Sequence, residues 1–289
     1  MKYDDILKAW TDYSSKYQNN NKRGEEAIAF VYENEQWDGG TKASRTSANK
    51  ETLVFNAVRK YCEQVKNQNR QIEFAINVYQ CDEDNTSRFK AFDKLIKHWY
   101  YEQHVQEKID TAFDKLIDYG YAVAEVNYYY EDKYTLNKKP FVYVYDNPSE
   151  AFFDTSCQLK SRIDGNYCGR RRSLTKYELI EKYGNVLGAD AIKDHDNIVI
   201  DFWEREQSNA YYVKLKTGVF YRQDLLTEDD FLNNVERTAA GKLIRKKGKK
   251  GDIYFYRYVN EKCVINKRPF QTEDLPLVYH SGLTYWNRS

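Results

Sequence analysis

The distribution of proline constrains the fold of this 289-residue chain more than any other sequence feature. Its four prolines all lie at or beyond residue 140, at Pro140, Pro148, Pro269 and Pro276. Proline disrupts the interior of a helix because its ring fixes φ and removes the backbone N–H donor. The first 139 residues lack this disruption, and their apolar residues recur at three- and four-residue steps, which predicts helices.

The apolar spacing divides this region into several predicted helices. The first carries Ile6 through Tyr17, and a polar stretch at 19–21 separates it from a second apolar group at 27–32. Ser47 or Asn49 is a suitable N-cap for a third helix that runs to about Val65. We expect the indole of Trp37, between the second and third helices, to be mostly buried and to anchor the first helical region against the body.

A strand and one long helix follow. Residues 72–78 alternate apolar and polar side chains, the period of a strand. Residues from Asn85 to Gly120 then show the longest helical pattern, with Gly120 as a suitable C′ residue. About 32 residues at 1.5 Å each predict a single rod of roughly 48 Å, which we interpret as a structural strut.

Beyond Gly120 the apolar period changes to that of strands. A capping box, Thr175 with Glu178, precedes a short helix near 176–183. The predicted fold class is α+β: a helix-rich N-terminal part with one long strut helix, then an antiparallel or mixed β-rich part. We expect a single body over 1–289, mainly helical in 1–120 and mainly strands in 121–289. The predicted strands are 121–130, 141–145, 198–204, 211–216 and a hairpin of 253–259 with 262–265.

Composition excludes several classes of protein. The 45 Lys and Arg residues balance 44 Asp and Glu residues, which argues against a generic basic nucleic-acid binder and against an acidic tail protein. The 27 Tyr, 14 Phe and 5 Trp residues suit interfaces, because aromatic rings bury a large area. The five cysteines form no C-x-x-C pair, so we expect reduced thiols and a cytosolic folding environment. Neither a signal peptide nor a membrane span is expected.

The histidines do not predict a metal or catalytic site. His98 and His104 are six positions apart on one predicted helix, about 240° around its axis, so they cannot bind one metal ion. His195 lies in a polar Lys-Asp-His-Asp segment that reads as a surface loop.

The carboxylates and glycines give no stronger signal. Glu131-Asp132-Lys133 follows a predicted strand and resembles the acid-x-Lys element of metal-dependent nucleases, but such triplets arise by chance in a chain with 44 acids. Asp146 and Asp154 lack metal-loop spacing. Phosphate-binding glycine motifs and a nucleophile elbow are absent from the sequence. We therefore predict no catalytic residue, no cofactor and no metal, and a protein that is not an enzyme.

Two basic clusters are candidates for interaction. The first is Arg170-Arg171-Arg172, which we assign to inter-subunit ion pairs because Arg is favoured at interfaces. The second lies within 241–251, where glycines interrupt a run of six cations. We predict a mobile surface loop there, with at most weak, non-specific DNA contact. The residues that would make this contact are Lys246, Lys247, Lys249 and Lys250.

Several patches, read in chain order, resemble the portal proteins of short-tailed, double-stranded DNA bacteriophages. No single patch is specific, but the collinear set covers nearly the whole chain. The patches are Arg23-Gly24-Glu25-Glu26 with Glu35-Gln36-Trp37-Asp38; Asn49 with Asn56; the strand at 72–78; the long helix closing at Gly120; Asp146-Asn147-Pro148 with Phe152-Phe153-Asp154-Thr155-Ser156; Phe202-Trp203-Glu204; and Asp274-Leu275-Pro276 with Gly282.

The resemblance implies a ring-forming structural protein, dodecameric in the family, located at one vertex of the capsid. Such a ring is the DNA channel and would bind the terminase large subunit, the head–tail adaptor and the capsid or scaffold protein, contacting double-stranded DNA non-specifically. It would be assembled in the bacterial host cytoplasm and belong to the virion, with no membrane partner.

Family members continue past this point into stem and clip segments. The resemblance therefore implies the first, wing-like half of a portal. Another virion or adaptor module, and a metal-dependent nucleic-acid enzyme, remain alternatives.

Overall fold

In the part of the chain that the structure describes, a helical N-terminal part is followed by two antiparallel sheets, which confirms the α+β class. The computed structural model describes residues 2–78, 86–130, 137–188, 192–218, 220–223, 235–238, 242–270 and 274–281. The helices are α1 Tyr3–Tyr32, α2 Gly39–Ser47, α3 Ala57–Asn69, α4 Thr86–Glu102, α5 Val105–Tyr119 and α6 Lys176–Tyr183. The strands are β1 Tyr121–Tyr130, β2 Lys138–Val144, β3 Ala151–Phe153, β4 Tyr167–Leu174, β5 Asn197–Lys214, β6 Phe220–Arg222, β7 Arg245–Val259, β8 Lys262–Phe270 and β9 Leu277–Ser281.

Helix α1 is continuous over 30 residues, so the predicted break at 19–21 is wrong. Asn costs only a few tenths of a kcal/mol in a helix interior, which packing readily offsets. Ile6 and Tyr13 are buried on the body. At Gly24 the helix approaches α5 so closely that an added Cβ would lie 3.2 Å from the Tyr119 ring. Tertiary packing at both ends therefore holds the asparagines in helix.

The single long strut does not form, because the chain breaks between α4 and α5. His104 adopts a left-handed conformation at φ 49°, a conformation that favours glycine, and it separates helices of 17 and 15 residues. The indole N–H of Trp99 donates to the carbonyl of Pro140 at 2.9 Å, which ties the end of α4 to β2. The predicted stop at Gly120 is confirmed: its φ is 80° and its N–H donates to the Leu116 carbonyl.

Residues 72–78 belong to no helix and to no sheet, so the predicted strand is wrong. Side chains satisfy the backbone instead: the Phe74 N–H donates to Gln106 Oε1 at 3.1 Å, and Gln106 Nε2 donates to the Ile72 carbonyl. The predicted third helix is also displaced. Helix α3 begins at Ala57, where the Asn56 side chain accepts from the Arg59 N–H at 2.9 Å.

Sheet A has the order β2-β1-β9, and its last strand returns from far along the chain to pair Tyr121 with Ser281. Sheet B has the order β3-β4-β5-β7-β8, with β6 paired to β5. Strand β5 is 18 residues long and merges the two strands predicted at 198–204 and 211–216. The predicted hairpin of β7 and β8 forms, with its turn at 260–261.

Aromatic rings fill the core between the sheets and α1. Phe152 and Phe202 stack with ring centroids 6.0 Å apart, a geometry that adds to the free energy of burial. Gly169 makes this possible, since a Cβ there would lie 2.2 Å from Cζ of Phe152. No helix in the described part of the chain has both the length and the hydropathy that a bilayer span requires.

Candidate interaction surfaces

The three arginines of β4 all contact groups of their own chain. Arg170 Nη2 lies 2.9 Å from Glu150 Oε2, and Arg172 Nη2 lies 3.5 Å from Asp201 Oδ2. The Arg171 guanidinium lies 4.1 Å from the centroid of the Trp10 ring. These contacts join sheet B to α1 and to the turn before β3. The inter-subunit role assigned to the triplet stays a prediction.

The basic cluster adopts strand rather than loop conformation, so the prediction of a surface loop is wrong for residues 245–251. Residues 245–251 of β7 pair with residues 207–213 of β5, from Val213 opposite Arg245 to Gln207 opposite Gly251. The second half of β5 supplies backbone partners that the sequence run alone does not reveal. Arg245 and Lys246 are both exposed, and successive strand positions point to opposite faces. Lys247, Lys249 and Lys250 belong to the same strand, β7.

Trp37 is half-buried, and its contacts are local. Its indole N–H donates to the Leu53 carbonyl at 3.2 Å, and the Arg45 guanidinium lies 4.9 Å from its ring centroid. Asp38, next in sequence, caps α2 by accepting from the N–H groups of Gly40 and Thr41. Trp37 thus joins α2 to the segment before α3, and its role as an anchor against the body stays a prediction.

A buried charged cluster fixes α3 to α1 and α5. Lys66 Nζ lies 2.7 Å from Asp118 Oδ1, and the Tyr32 hydroxyl donates to the same carboxylate at 2.8 Å. Burial lowers the pKa of Lys66, but hydrogen bonds to Asp118 and Tyr32 outweigh burial and hold this pKa above its ordinary value. The ammonium group therefore remains charged inside the helical junction.

This cluster reverses the expected orientation of α3. The helix buries its polar Lys66 and Asn69, while the apolar residues at i, i+3 and i+7 face solvent. We give the name α3 face to the exposed apolar residues of the helix, Val58, Tyr61 and Val65, together with Leu53 and Phe55 of the segment that precedes it. Phe55 is 89% exposed and Tyr61 is 67% exposed. Exposed large apolar side chains that are grouped along one segment in this way are typical of interaction sites.

Helix α4 presents a second exposed apolar surface. Phe92 and Leu95, one helical turn apart, are more than half exposed, and Tyr101 at the end of the helix is exposed as well. We call these three residues the α4 face. Both faces consist of residues whose periodicity is equally typical of a buried core, so their exposure could not be predicted from sequence.

The residues weighed for catalysis are not brought together. Among the residues that the structure describes, no group of three His, Cys, Asp or Glu side chains is arranged to hold a metal ion. His98 and His104 lie near different carboxylates, Glu102 and Glu107. Residues 131–133 lie outside the described residues. Cys62, Cys157, Cys168 and Cys263 are free thiols.

Asp154 has a structural role in its own loop. It accepts hydrogen bonds from the backbone and side chains of Ser156 and Asn166, at 2.7–3.0 Å. Burial raises the pKa of Asp154, but these hydrogen bonds outweigh burial and lower the pKa below its ordinary value. This carboxylate thus organises the chain between β3 and β4.

A comparison with protein families gives one match. The family model described as phage P22-like portal protein matches residues 7–286, which is nearly the whole chain. No curated protein matches the chain.

Proposed function

Because the chain belongs to the phage P22-like portal protein family, and so has a structural role in a bacteriophage virion, we propose that it is a subunit of a ring at one capsid vertex. The ring, dodecameric by resemblance, would act as the DNA channel during genome packaging and ejection. Its partners would be the terminase large subunit, the head–tail adaptor and the capsid or scaffold protein. Assembly would take place in the bacterial host cytoplasm. The match over residues 7–286 carries this proposal.

The exposed apolar helix faces support self-association. A ring requires a heterologous interface, in which one surface of a subunit binds a different surface of the next. The α3 face and the α4 face lie on different helices and are both exposed. We assign the α3 face to the contact between neighbouring subunits, because burial of Phe55 and Tyr61 would remove the largest exposed rings of that face from water.

Contact with DNA would be electrostatic. The part of β7 from Arg245 to Gly251 contains five basic residues and no acidic one. Arg245 and Lys246 are exposed. Lysine contacts to phosphate are independent of sequence and weaken steeply with salt. A channel through which DNA moves needs weak, sequence-independent contact of this kind.

Negative-stain electron microscopy and light scattering test the ring. The sample is the chain together with any residues that its gene encodes beyond position 289, and we expect closed rings of uniform size. The double variant Phe55→Ser/Tyr61→Ser should shift the mass to that of a monomer. Tyr177→Ser is the matched control, since Tyr177 is 84% exposed and lies on a different helix, α6. A monomer at all concentrations in the unmodified protein would overturn the proposal.

A further inference from the structure

Arg162 lies inside a cage of aromatic rings contributed by three separate elements. Its guanidinium carbon is 4.1 Å from the ring centroid of Tyr279, 4.5 Å from Tyr17, 5.2 Å from Tyr13 and 5.3 Å from Phe153. These rings belong to β9, α1 and β3. All four lie within the roughly 6 Å at which a ring face attracts a cation. The cage therefore fixes the position of the guanidinium group.

Arg162 also has a strained backbone, in the turn-rich segment between β3 and β4. Its φ is 57°, in the left-handed region that non-glycine residues rarely occupy. Such conformations cost about 1–3 kcal/mol and persist where the surrounding structure over-determines them.

The guanidinium group also retains an unused donor. Arg162 Nη1 is buried and has no hydrogen-bond partner among the described residues, and none of their carboxylates forms an ion pair with Arg162. By contrast, two half-buried arginines of sheet B have carboxylate partners: Arg170 pairs with Glu150, and Arg257 pairs with Asp201. The guanidinium hydrogen-bonds the side chains of Tyr13 and Tyr279 but has no carboxylate partner among the described residues. Buried charges in proteins are normally paired, so the free Nη1 donor points to an anionic ligand.

A cavity of about 80 Å³ adjoins this group. Its lining contains a second cation, Lys160, and three side-chain amides, Asn20, Asn21 and Gln158, but no carboxylate. The Asn21 oxygen already accepts from the Tyr121 hydroxyl at 3.0 Å, which leaves the NH₂ group of Asn21 as a donor. Since a water needs roughly 10–15 Å³ of such volume, the cavity has room for several non-hydrogen atoms.

We propose that this cavity is a binding site for a phosphate-type oxyanion, held by Arg162 with Lys160 and the surrounding amides. Arginine suits this ligand because its planar donors match two oxygens at once. The source of the oxyanion is either free phosphate or the terminal phosphate of a nucleic-acid strand. The proposal goes beyond the ring function and does not depend on it.

Calorimetric titration and thermal unfolding with inorganic phosphate test the site. We expect saturable binding and a melting temperature that rises with phosphate but not with sodium chloride at equal ionic strength. Asn20→Asp places a carboxylate at the cavity while keeping Arg162 and its cage, and it should weaken phosphate binding about tenfold or more through like-charge repulsion. Asn19→Asp is the matched control, because Asn19 is exposed on the same helix and does not line the cavity.

The source is distinguished by competition with oligonucleotides of one sequence, with and without a 5′-phosphate. Competition by the phosphorylated strand alone supports a strand end, and binding of inorganic phosphate without such competition supports the free ion. Failure of both probes to bind the unmodified protein would overturn the proposal. An equal loss in Asn19→Asp and Asn20→Asp would also overturn it, because general charge would then explain the effect.

Discussion

Lys66 of α3 and Asp118 of α5, which are 52 positions apart in the sequence, form a short ion pair in which Nζ lies 2.7 Å from Oδ1. The side chains are only 6% and 17% exposed. Removing one partner would leave a buried charge without compensation, which typically costs about 3–5 kcal/mol.

We therefore expect Asp118→Ala to lower the free energy of unfolding by about 3 kcal/mol or more, measured by urea denaturation. Glu26→Ala is the control, because its pair with Lys22 is exposed and such pairs contribute about 0–1 kcal/mol. Equal effects of the two substitutions would show that the Lys66 pair is as solvated as the surface pair.

Gly169 should tolerate no side chain. An added Cβ would lie 2.2 Å from Cζ of the buried Phe152, directly across the β3–β4 ladder. Overpacking of a core typically costs about 1–3 kcal/mol, so Gly169→Ala should lower the melting temperature clearly. Gly39→Ala provides the comparison, since no atom lies within 4 Å of its added Cβ. If both variants melt at the same temperature, β3 and β4 can separate without cost.

The stabilisation that Asp154 provides should decrease when the pH becomes acidic. Its pKa is lower in the folded protein than in the unfolded chain, so its stabilisation is present above the unfolded pKa of about 3.9 and is lost as pH falls through the folded pKa. The difference in unfolding free energy between the protein and Asp154→Asn should be largest near neutral pH and shrink below about pH 4. Urea titrations from pH 3 to 7 measure it. A difference that stays constant, or an equal trend in Asp146→Asn on the exposed turn, would contradict this assignment.

Neutralising the basic part of β7 should affect DNA binding and not stability. Changing Lys246, Lys247, Lys249 and Lys250 to Gln should leave the unfolding free energy within about 0.5 kcal/mol. Binding to duplex DNA should weaken at low salt only, with a shallower dependence on salt. Fluorescence anisotropy at several salt concentrations measures both effects. Submicromolar binding that survives about 0.2 M salt and is lost in this variant would identify a dedicated DNA site. The control replaces four exposed lysines elsewhere: Lys8, Lys50, Lys60 and Lys94.

Trp37→Ala should destabilise the protein and lower its melting temperature. The loss of unfolding free energy should be smaller than the about 3–5 kcal/mol that truncation of a fully buried Trp costs. The side chain is half-buried, and the change removes its hydrogen bond to the Leu53 carbonyl and its contact with Arg45. Thermal unfolding followed by circular dichroism measures the effect. An unchanged melting temperature would assign Trp37 to a partner surface instead.

Features that depend on neighbouring residues could be predicted from the sequence. Gly120 ends α5 in the left-handed conformation, and Thr175 with Glu178 forms the capping box of α6. The period-2 pattern after Gly120 correctly indicated β1, and the turn at 260–261 joined β7 to β8 as expected. Each of these signals acts within one turn or one strand.

Features that depend on distant partners could not be predicted. Helix α3 buries Lys66 and exposes its apolar residues because Asp118, the partner of Lys66, lies on α5. The apolar periodicity of α3 alone cannot predict this orientation. His104 has no sequence signal for a helix break; Tyr100 and Gln106 bridge the break through a hydrogen bond of 2.8 Å. The cage around Arg162 is assembled from α1, β3 and β9, so it exists only in the folded chain.

The pairing of β1 with β9 has a consequence for biosynthesis. Tyr121 is hydrogen-bonded to a strand that ends at Ser281, 160 positions later. A ribosome adding about 5–20 residues per second needs roughly 8–30 s to make that interval. During this time the edge of β1 that faces away from β2 is open to any other nascent chain. Tyr279, which supplies one ring of the Arg162 cage, has not yet been added. Subunits translated side by side on one messenger therefore have a window in which β1 is exposed to mispairing, and a chaperone that covers strand edges would act in that window.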